Sequence, residues 1–234
     1  MALRGEEHRA AIRAVLSVFG ADATHFVFVG GCTLGLYATA RPAGAPLRAT
    51  KDVDCISTRQ PWVLQEQTLA RLCTEGRLSP EEDLQCRYRI CGTKYLVDVL
   101  SPDGANVGGV NAWFERAADR AGEYDVGDGV RVKAVTPPYF LATKLVAFED
   151  RGPDVQSSVD CEDIVALAAE TADLVSLVDA EGIREDVAAL WKRVFDKYGF
   201  GVDDLSDVVD GHLDFREDEH RRRVVETLRA LARG

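Results

Sequence analysis

The sequence predicts an α+β fold: a mixed β-sheet core flanked by helices over residues 1–136, followed by an all-helical C-terminal subdomain over residues 137–234. Three observations carry this. Short β-branched and aromatic runs broken by glycine turns are confined to the first part of the chain. Beyond Pro137 the apolar residues recur only at helical spacing. Between the two, Thr136-Pro137-Pro138 marks a boundary, because proline cannot donate to a strand ladder.

The elements follow in order. Glu6–Phe19 places Ala10, Ile12, Val15, Leu16 and Phe19 on one helical face and stops before Gly20. His25–Val29 is short, aromatic and β-branched and runs into Gly30-Gly31, a buried strand feeding a tight turn. Cys32–Ala40 reads as a helix, and Arg41–Ala49, with two prolines and a glycine, as an exposed loop. Asp52–Thr58 is a second strand, followed by a helix over Pro61–Glu75 with proline in its first turn. Gln85–Cys91 and Tyr95–Leu100 form a hairpin closed by Gly92-Thr93-Lys94. Val107–Asp128 is rich in glycine and charge, with a short helix over Ala112–Asp119, and Val130–Val135 is one more strand. The C-terminal helices are expected at Tyr139–Asp150, Val159–Glu170, Asp173–Asp179, Glu185–Tyr198 and Glu217–Ala232.

The chain has 234 residues, 46% hydrophobic and 29% charged, which is ordinary for a globular protein able to bury a core. No apolar run approaches the roughly 18 residues needed to span a bilayer, so no membrane partner and a cytoplasmic location are expected. The six cysteines make no CxxC pair and no Cys/His cluster at zinc spacing, so they are read as reduced structural thiols. A net charge of −11 repels nucleic acid at long range; a polynucleotide partner needs a locally basic face, and Arg221-Arg222-Arg223 is the strongest basic run.

The chemistry concentrates in acids. Asp52-Val53-Asp54 sends two carboxylates to one face of a strand and Val53 to the other. Two such carboxylates repel unless a cation lies between them, and hard divalent ions suit oxygen donors. Asp98 lies inside the apolar run Tyr95–Leu100, where burying an acid is costly; it is either a third ligand or a partner for an arginine. Three converging carboxylates can hold two ions for an in-line displacement at phosphorus. Upstream, Gly30-Gly31 before a helix that includes Thr33 is a turn whose N–H groups can approach phosphate oxygens.

The strings Gly30-Gly31-Cys32-Thr33-Leu34 and Arg48-Ala49-Thr50-Lys51-Asp52-Val53-Asp54 resemble the signature of the DNA-polymerase-β-like nucleotidyltransferase superfamily. The Arg-x-Thr-x-Asp-x-Asp form is particularly similar to its AbiEii/AbiGii-type branch, which includes toxins of toxin–antitoxin pairs. That branch also shows a Lys-x6-Arg element and later aspartates, matched here by Lys144, Arg151, Asp160 and Asp163. The resemblance covers roughly residues 26–167. Twenty residues separate Gly31 from Asp52, a longer gap than usual in the superfamily, and Val159 stands where a basic residue often precedes the first late aspartate.

The resemblance implies a nucleotidyltransferase core over residues 1–136, with two Mg²⁺ ions (or Mn²⁺) on Asp52 and Asp54. Asp98 would bind the ion nearer the incoming hydroxyl, and Gly30, Gly31 and Thr33 would hold the triphosphate. Lys144 is expected to reach the triphosphate across a cleft, Arg151 to do likewise or pair with Asp160, and Asp163 to act as a structural partner or base or ribose contact. The implied reaction moves NMP from an NTP to an acceptor hydroxyl and releases pyrophosphate. The acceptor expected is the tRNA 3′ end, which makes the protein a toxin with a cognate antitoxin. The competing readings are a small-molecule nucleotidyltransferase acting on a hydroxylated, aminoglycoside-type acceptor, and a non-catalytic nucleotide-binding protein.

Overall fold

The structure, a computed structural model, describes residues 5–38, 47–82, 84–102, 111–151, 154–213 and 218–234. The chain divides into two compact units, one comprising Met1–Leu36 and Arg48–Thr136, the other Tyr37–Leu47 and Pro137–Gly234. The architecture is α+β, as the sequence predicts.

In the first unit, α1 (Glu6–Phe19) precedes β1 (Phe26–Val29), the single-turn α2 (Leu34–Tyr37, whose last residue is counted with the second unit), β2 (Asp52–Ser57) and α3 (Trp62–Thr74). Then come β3 (Leu78–Pro80), β4 (Arg87–Ile90), β5 (Leu96–Leu100), α4 (Phe114–Asp119), β6 (Gly122–Asp125) and β7 (Arg131–Ala134). The strands form one sheet in the order β3-β4-β5-β2-β1-β7-β6. β2 runs parallel to β5 and antiparallel to β1, while β1 runs parallel to β7, so the sheet is mixed. All four residues of β1 are buried, the signature of an interior strand covered on both faces.

Alternation along β2 decides what each face does. Val53 and Cys55 are fully buried in a cluster with Val97 and Val99 of β5, Ile12 and Val15 of α1 and Leu69 and Leu72 of α3. These two helices therefore cover one face of the sheet. Asp52 and Asp54 point to the opposite face, and so does Asp98. α1 can cover its face because Ala11, Ile12, Val15, Val18 and Phe19 recur at three- and four-residue spacing. Glu6 and Glu7 in its first turn complement the helix dipole.

The second unit consists of α5 (Pro137–Arg151), α6 (Val159–Glu170), α7 (Leu174–Ala180), α8 (Arg184–Tyr198), α9 (Leu205–His212) and α10 (Asp218–Arg233). α5 packs on α6 and α8, and α10 lies against α6, α8 and α9. The Phe148 ring of α5 stacks on Tyr198 of α8 with centroids 5.0 Å apart, and the Tyr198 hydroxyl donates to the Phe148 carbonyl at 2.8 Å. No helix among the described residues is long and apolar enough to cross a membrane.

Several sequence expectations need correction. The helix expected over Cys32–Ala40 is a 3-10 turn, Gly31–Thr33, followed by one α-turn ending at Tyr37; residues 39–46, most of the expected loop, lie outside the described residues. β3 and β6 were not expected. β6 falls in the glycine- and charge-rich stretch, where its exposed alternate residues concealed a strand that pairs with β7 on one side only. α9 was also missed: its apolar side rests on Leu205, Val208 and Val209 alone, among aspartates. Residues 103–110 lie outside the described residues.

None of the six cysteines forms a disulfide; Cys32, Cys55, Cys86 and Cys161 are buried and Cys91 is exposed. Burial pushes the Cys161 thiol up to about 12 and Cys86 to about 11. For Cys55, burial and then the Asp54 charge act in the same direction. Since the thiolate is the nucleophile, iodoacetamide at pH 8 is expected to alkylate Cys91 while leaving these four unmodified in the native protein. Peptide mass spectrometry checks this, and rapid labelling of Cys161 would contradict the packing of α5 against α6.

Candidate active site

The site is built on a lateral row across the sheet. The β2–β5 register sets Asp54 beside Asp98, and the β4–β5 register sets Arg87 beside Asp98 on the other side. Val29, the last residue of β1, is the partner of Asp54. The row thus reads Val29, Asp54, Asp98, Arg87, with Asp52 two residues along β2 on the same face.

Gly30 follows Val29 and turns the chain at φ 71 and ψ −172. A Cβ there would lie 2.0 Å from Asp54 Oδ2, so only glycine lets the turn press against this carboxylate. The requirement for glycine is therefore both conformational and steric. Thr33 is fully buried, and its hydroxyl donates to the Gly30 carbonyl at 2.9 Å. This shapes the turn; it does not present the hydroxyl to a phosphate. The helix that follows is a single turn, too short to build an appreciable dipole, so any anion affinity here rests on the turn's own N–H groups.

The β2 entrance is pinned locally. The Asp52 N–H donates to Thr50 Oγ1 at 3.2 Å, and the Thr50 hydroxyl is 3.0 Å from the Asp52 carbonyl that accepts from it. A threonine two residues before the first aspartate thus fixes where the strand starts.

Asp98 is 6% exposed, and its carboxylate takes a forked pair from Arg87: Nε to Oδ1 at 2.8 Å and Nη2 to Oδ2 at 2.7 Å. The arginine partnership that the sequence allowed is present. The Asp98 hydrogen bonds hold the Arg87 guanidinium well above arginine's ordinary range, and the charges of Asp52 and Asp54 add to this. Sequence reasoning missed Arg87. The signal was available in the hairpin, where alternate residues Arg87 and Arg89 fall on one face and Arg87 falls opposite Asp98.

The fit to a divalent ion follows from these contacts. Asp52 and Asp54 are hard oxygen donors on one face, the chemistry such an ion requires. Asp98 belongs to the same row but gives both oxygens to Arg87. Accordingly, no group of three His, Cys, Asp or Glu side chains stands at metal-ligand spacing among the described residues. Asp52 and Asp54 supply oxygen donors for a cation on one face of β2, and Asp98 can join them only if Arg87 lets go.

The second group of expected site residues forms its own cluster in the helical unit. Lys144 on α5 is 8% exposed, and its Nζ lies 2.8 Å from Asp160 Oδ1 and 2.6 Å from Asp163 Oδ2, both acids being 1% exposed on α6. Arg151, at the end of α5, bonds Asp160 through Nε at 2.9 Å and Nη2 at 3.2 Å, while its own side chain is 69% exposed. The Lys144 charge is already shared between two carboxylates, so any other anion must compete with them. The basic run on α10 is also engaged: Arg221 pairs with Asp210, and Arg223 donates to the Ala168 and Ala169 carbonyls near the end of α6, leaving Arg222 exposed.

A groove of about 380 Å³ between Leu16, Phe26, Val130 and Val132 lies elsewhere on the first unit. Its charged groups include Glu123 and Arg131, which pair with each other at 3.3 Å. It contains none of the row carboxylates, so the chemistry is assigned to the row.

In structure the chain is similar to the antibiotic-resistance factor ANT(2'')-Ia in its solution structure, at 17% identity, covering 78% of this chain and 94% of that one with a TM-score of 0.46. It is also similar to the crystal structure of an antigenic nucleotidyltransferase-like protein from Paracoccidioides brasiliensis, at 14% identity, covering 91% and 96% of the two chains with a TM-score of 0.47. No protein-family model and no curated protein matches the sequence.

Proposed function

We propose that the protein is a metal-dependent nucleotidyltransferase whose reaction centre is the Asp52, Asp54 and Asp98 row. The observation that carries this is the contact of Gly30 with Asp54: a strand, a glycine turn and a paired acid are fitted together so tightly that no side chain is admitted at position 30. The resemblance of the Gly30-Gly31 and Arg48-x-Thr50-x-Asp52-x-Asp54 strings to the nucleotidyltransferase signature supports the same reading.

Asp52 and Asp54 would hold Mg²⁺ or Mn²⁺, with Asp98 as the third donor. Such an ion supplies charge neutralisation at the phosphoryl oxygens and at the leaving group. The turn at Gly30-Gly31 would orient the triphosphate through backbone N–H groups. In the transfer, the acceptor oxygen forms a bond to the α-phosphorus, the bond to the β-bridging oxygen breaks, and pyrophosphate departs with the electron pair. The acceptor proton passes to solvent. Positioning and electrostatics suffice for this chemistry, which needs no covalent intermediate.

The acceptor we infer is the 3′ end of tRNA, on the similarity to the AbiEii/AbiGii-type branch, with toxicity relieved by a cognate antitoxin. One observation favours the second reading, a small cationic hydroxylated acceptor: the chain carries a net charge of −11, and two arginines of its strongest basic run are spent internally. Incubating the protein with each α-labelled NTP, Mg²⁺ or Mn²⁺, and either total tRNA or an aminoglycoside panel separates the two. Label is expected in tRNA at its 3′ end and lost on adding EDTA. Label in the aminoglycosides alone would replace tRNA by the small acceptor, and label in neither would remove the transferase reading.

A further inference from the structure

Arg87 is given no part in the transfer just described, yet it holds that reaction's third carboxylate. Each oxygen of Asp98 already receives a charged N–H from the guanidinium. A dication approaching Asp98 therefore meets a permanent positive charge at contact distance. Arginine cannot escape by losing its proton, so it must move. It has room to do so: the Arg87 side chain is 26% exposed against 9% for that of Asp98, and β4 lies one strand from the sheet edge. A guanidinium locked in the interior would be a permanent partner; one reaching solvent can exchange.

We propose that Arg87 is a built-in surrogate for the divalent cation. It neutralises Asp98 while no ion is bound and is displaced when an ion takes that carboxylate, so Arg87 sets the affinity of the site for the metal. Arg87 is thus a positioning residue acting through Asp98. The proposal rests on the reading of the row as a metal-dependent transfer site.

The test is Mn²⁺ binding, measured by calorimetry without nucleotide on wild type, Arg87→Gln, Asp98→Asn and the double variant. Arg87→Gln is expected to bind Mn²⁺ about tenfold more tightly than wild type, in line with the coupling of close charge pairs. Asp98→Asn is expected to bind more weakly, and the double variant to match Asp98→Asn, because competition exists only at that carboxylate. Equal or weaker binding by Arg87→Gln overturns the proposal and leaves the transfer reading standing. No Mn²⁺ binding by any protein, even with a non-hydrolysable NTP, removes the transfer reading itself. A second measurement needs no variant: the rate at which phenylglyoxal modifies Arg87 in the wild-type protein, followed by peptide mass spectrometry. Saturating Mn²⁺ is expected to raise that rate severalfold, and an unchanged rate means the guanidinium does not leave Asp98.

Discussion

Asp54→Asn is expected to abolish nucleotidyl transfer by at least about a thousandfold, some 4 kcal/mol of transition-state stabilisation, without lowering the melting temperature. The amide keeps the carboxylate's shape and still fits beside Gly30, where a larger group would not. What it loses is the charge, and charge is what a divalent ion and a pentavalent phosphorus require of this position. Stability should not fall with it, because Asp54 and Asp98 are lateral neighbours on parallel strands. Like charges at that spacing disfavour the sheet, a repulsion that Arg87 already reduces and the amide removes. Loss of transfer together with retained stability marks a residue kept for chemistry at the expense of folding. Label-transfer assays and thermal melts in EDTA check both halves. Transfer within tenfold of wild type would exclude Asp54 from the reaction, and a large fall in melting temperature would make it a structural residue.

The sequence made the site's acids legible and hid their neighbours. Alternation of Asp52, Val53 and Asp54 on a strand determines which face each side chain takes, and the cluster around Val53 follows from that alone. The pairing of Asp54 with Asp98 needed the strand order β4-β5-β2-β1, which no local pattern specifies: β2 and β5 are parallel and separated by a helix and two further strands. Arg87 was missed for a different reason: the hairpin that sets it opposite Asp98 is local, but a charged residue in a hairpin arm reads as solvated until the register across the ladder is followed. The glycine pair was legible as a turn. The reason position 30 must be glycine lies in a contact with a residue more than twenty positions away. In the helical half, apolar periodicity located five of the six helices, whereas α9 has too short an apolar stripe to stand out among its aspartates.

Lys144→Met should cost about 3–5 kcal/mol, the penalty for leaving buried carboxylates without their cation, and lower the melting temperature by about 10 °C. Lys144 bridges Asp160 and Asp163 from the neighbouring helix, and all three side chains are almost wholly out of water. Arg151 compensates little, because its exposed side chain is screened by solvent. The pH dependence carries a definite sign. Burial pushes the Asp160 carboxyl up, but Lys144 and Arg151 outweigh it and hold the group below its usual range. Its contribution is therefore present above the unfolded value, about 3.9, and is lost as pH falls through the lower folded value. For Lys144, burial pushes the ammonium down, but Asp163 and Asp160 outweigh it and raise it. That contribution is complete below about 10.4 and is lost only as pH rises through the higher folded value. The stability gap between wild type and Lys144→Met should thus be largest near neutral pH and shrink towards acid and towards strong alkali, as urea midpoints at pH 3, 7 and 11 would show. Adding Asp163→Asn to Lys144→Met removes one orphaned charge and should restore about 0.5–3 kcal/mol, the range found for coupled neighbours. Strict additivity of the two substitutions would mean that the ammonium and the Asp163 carboxylate do not meet, and would undo the account of how α5 and α6 are held together.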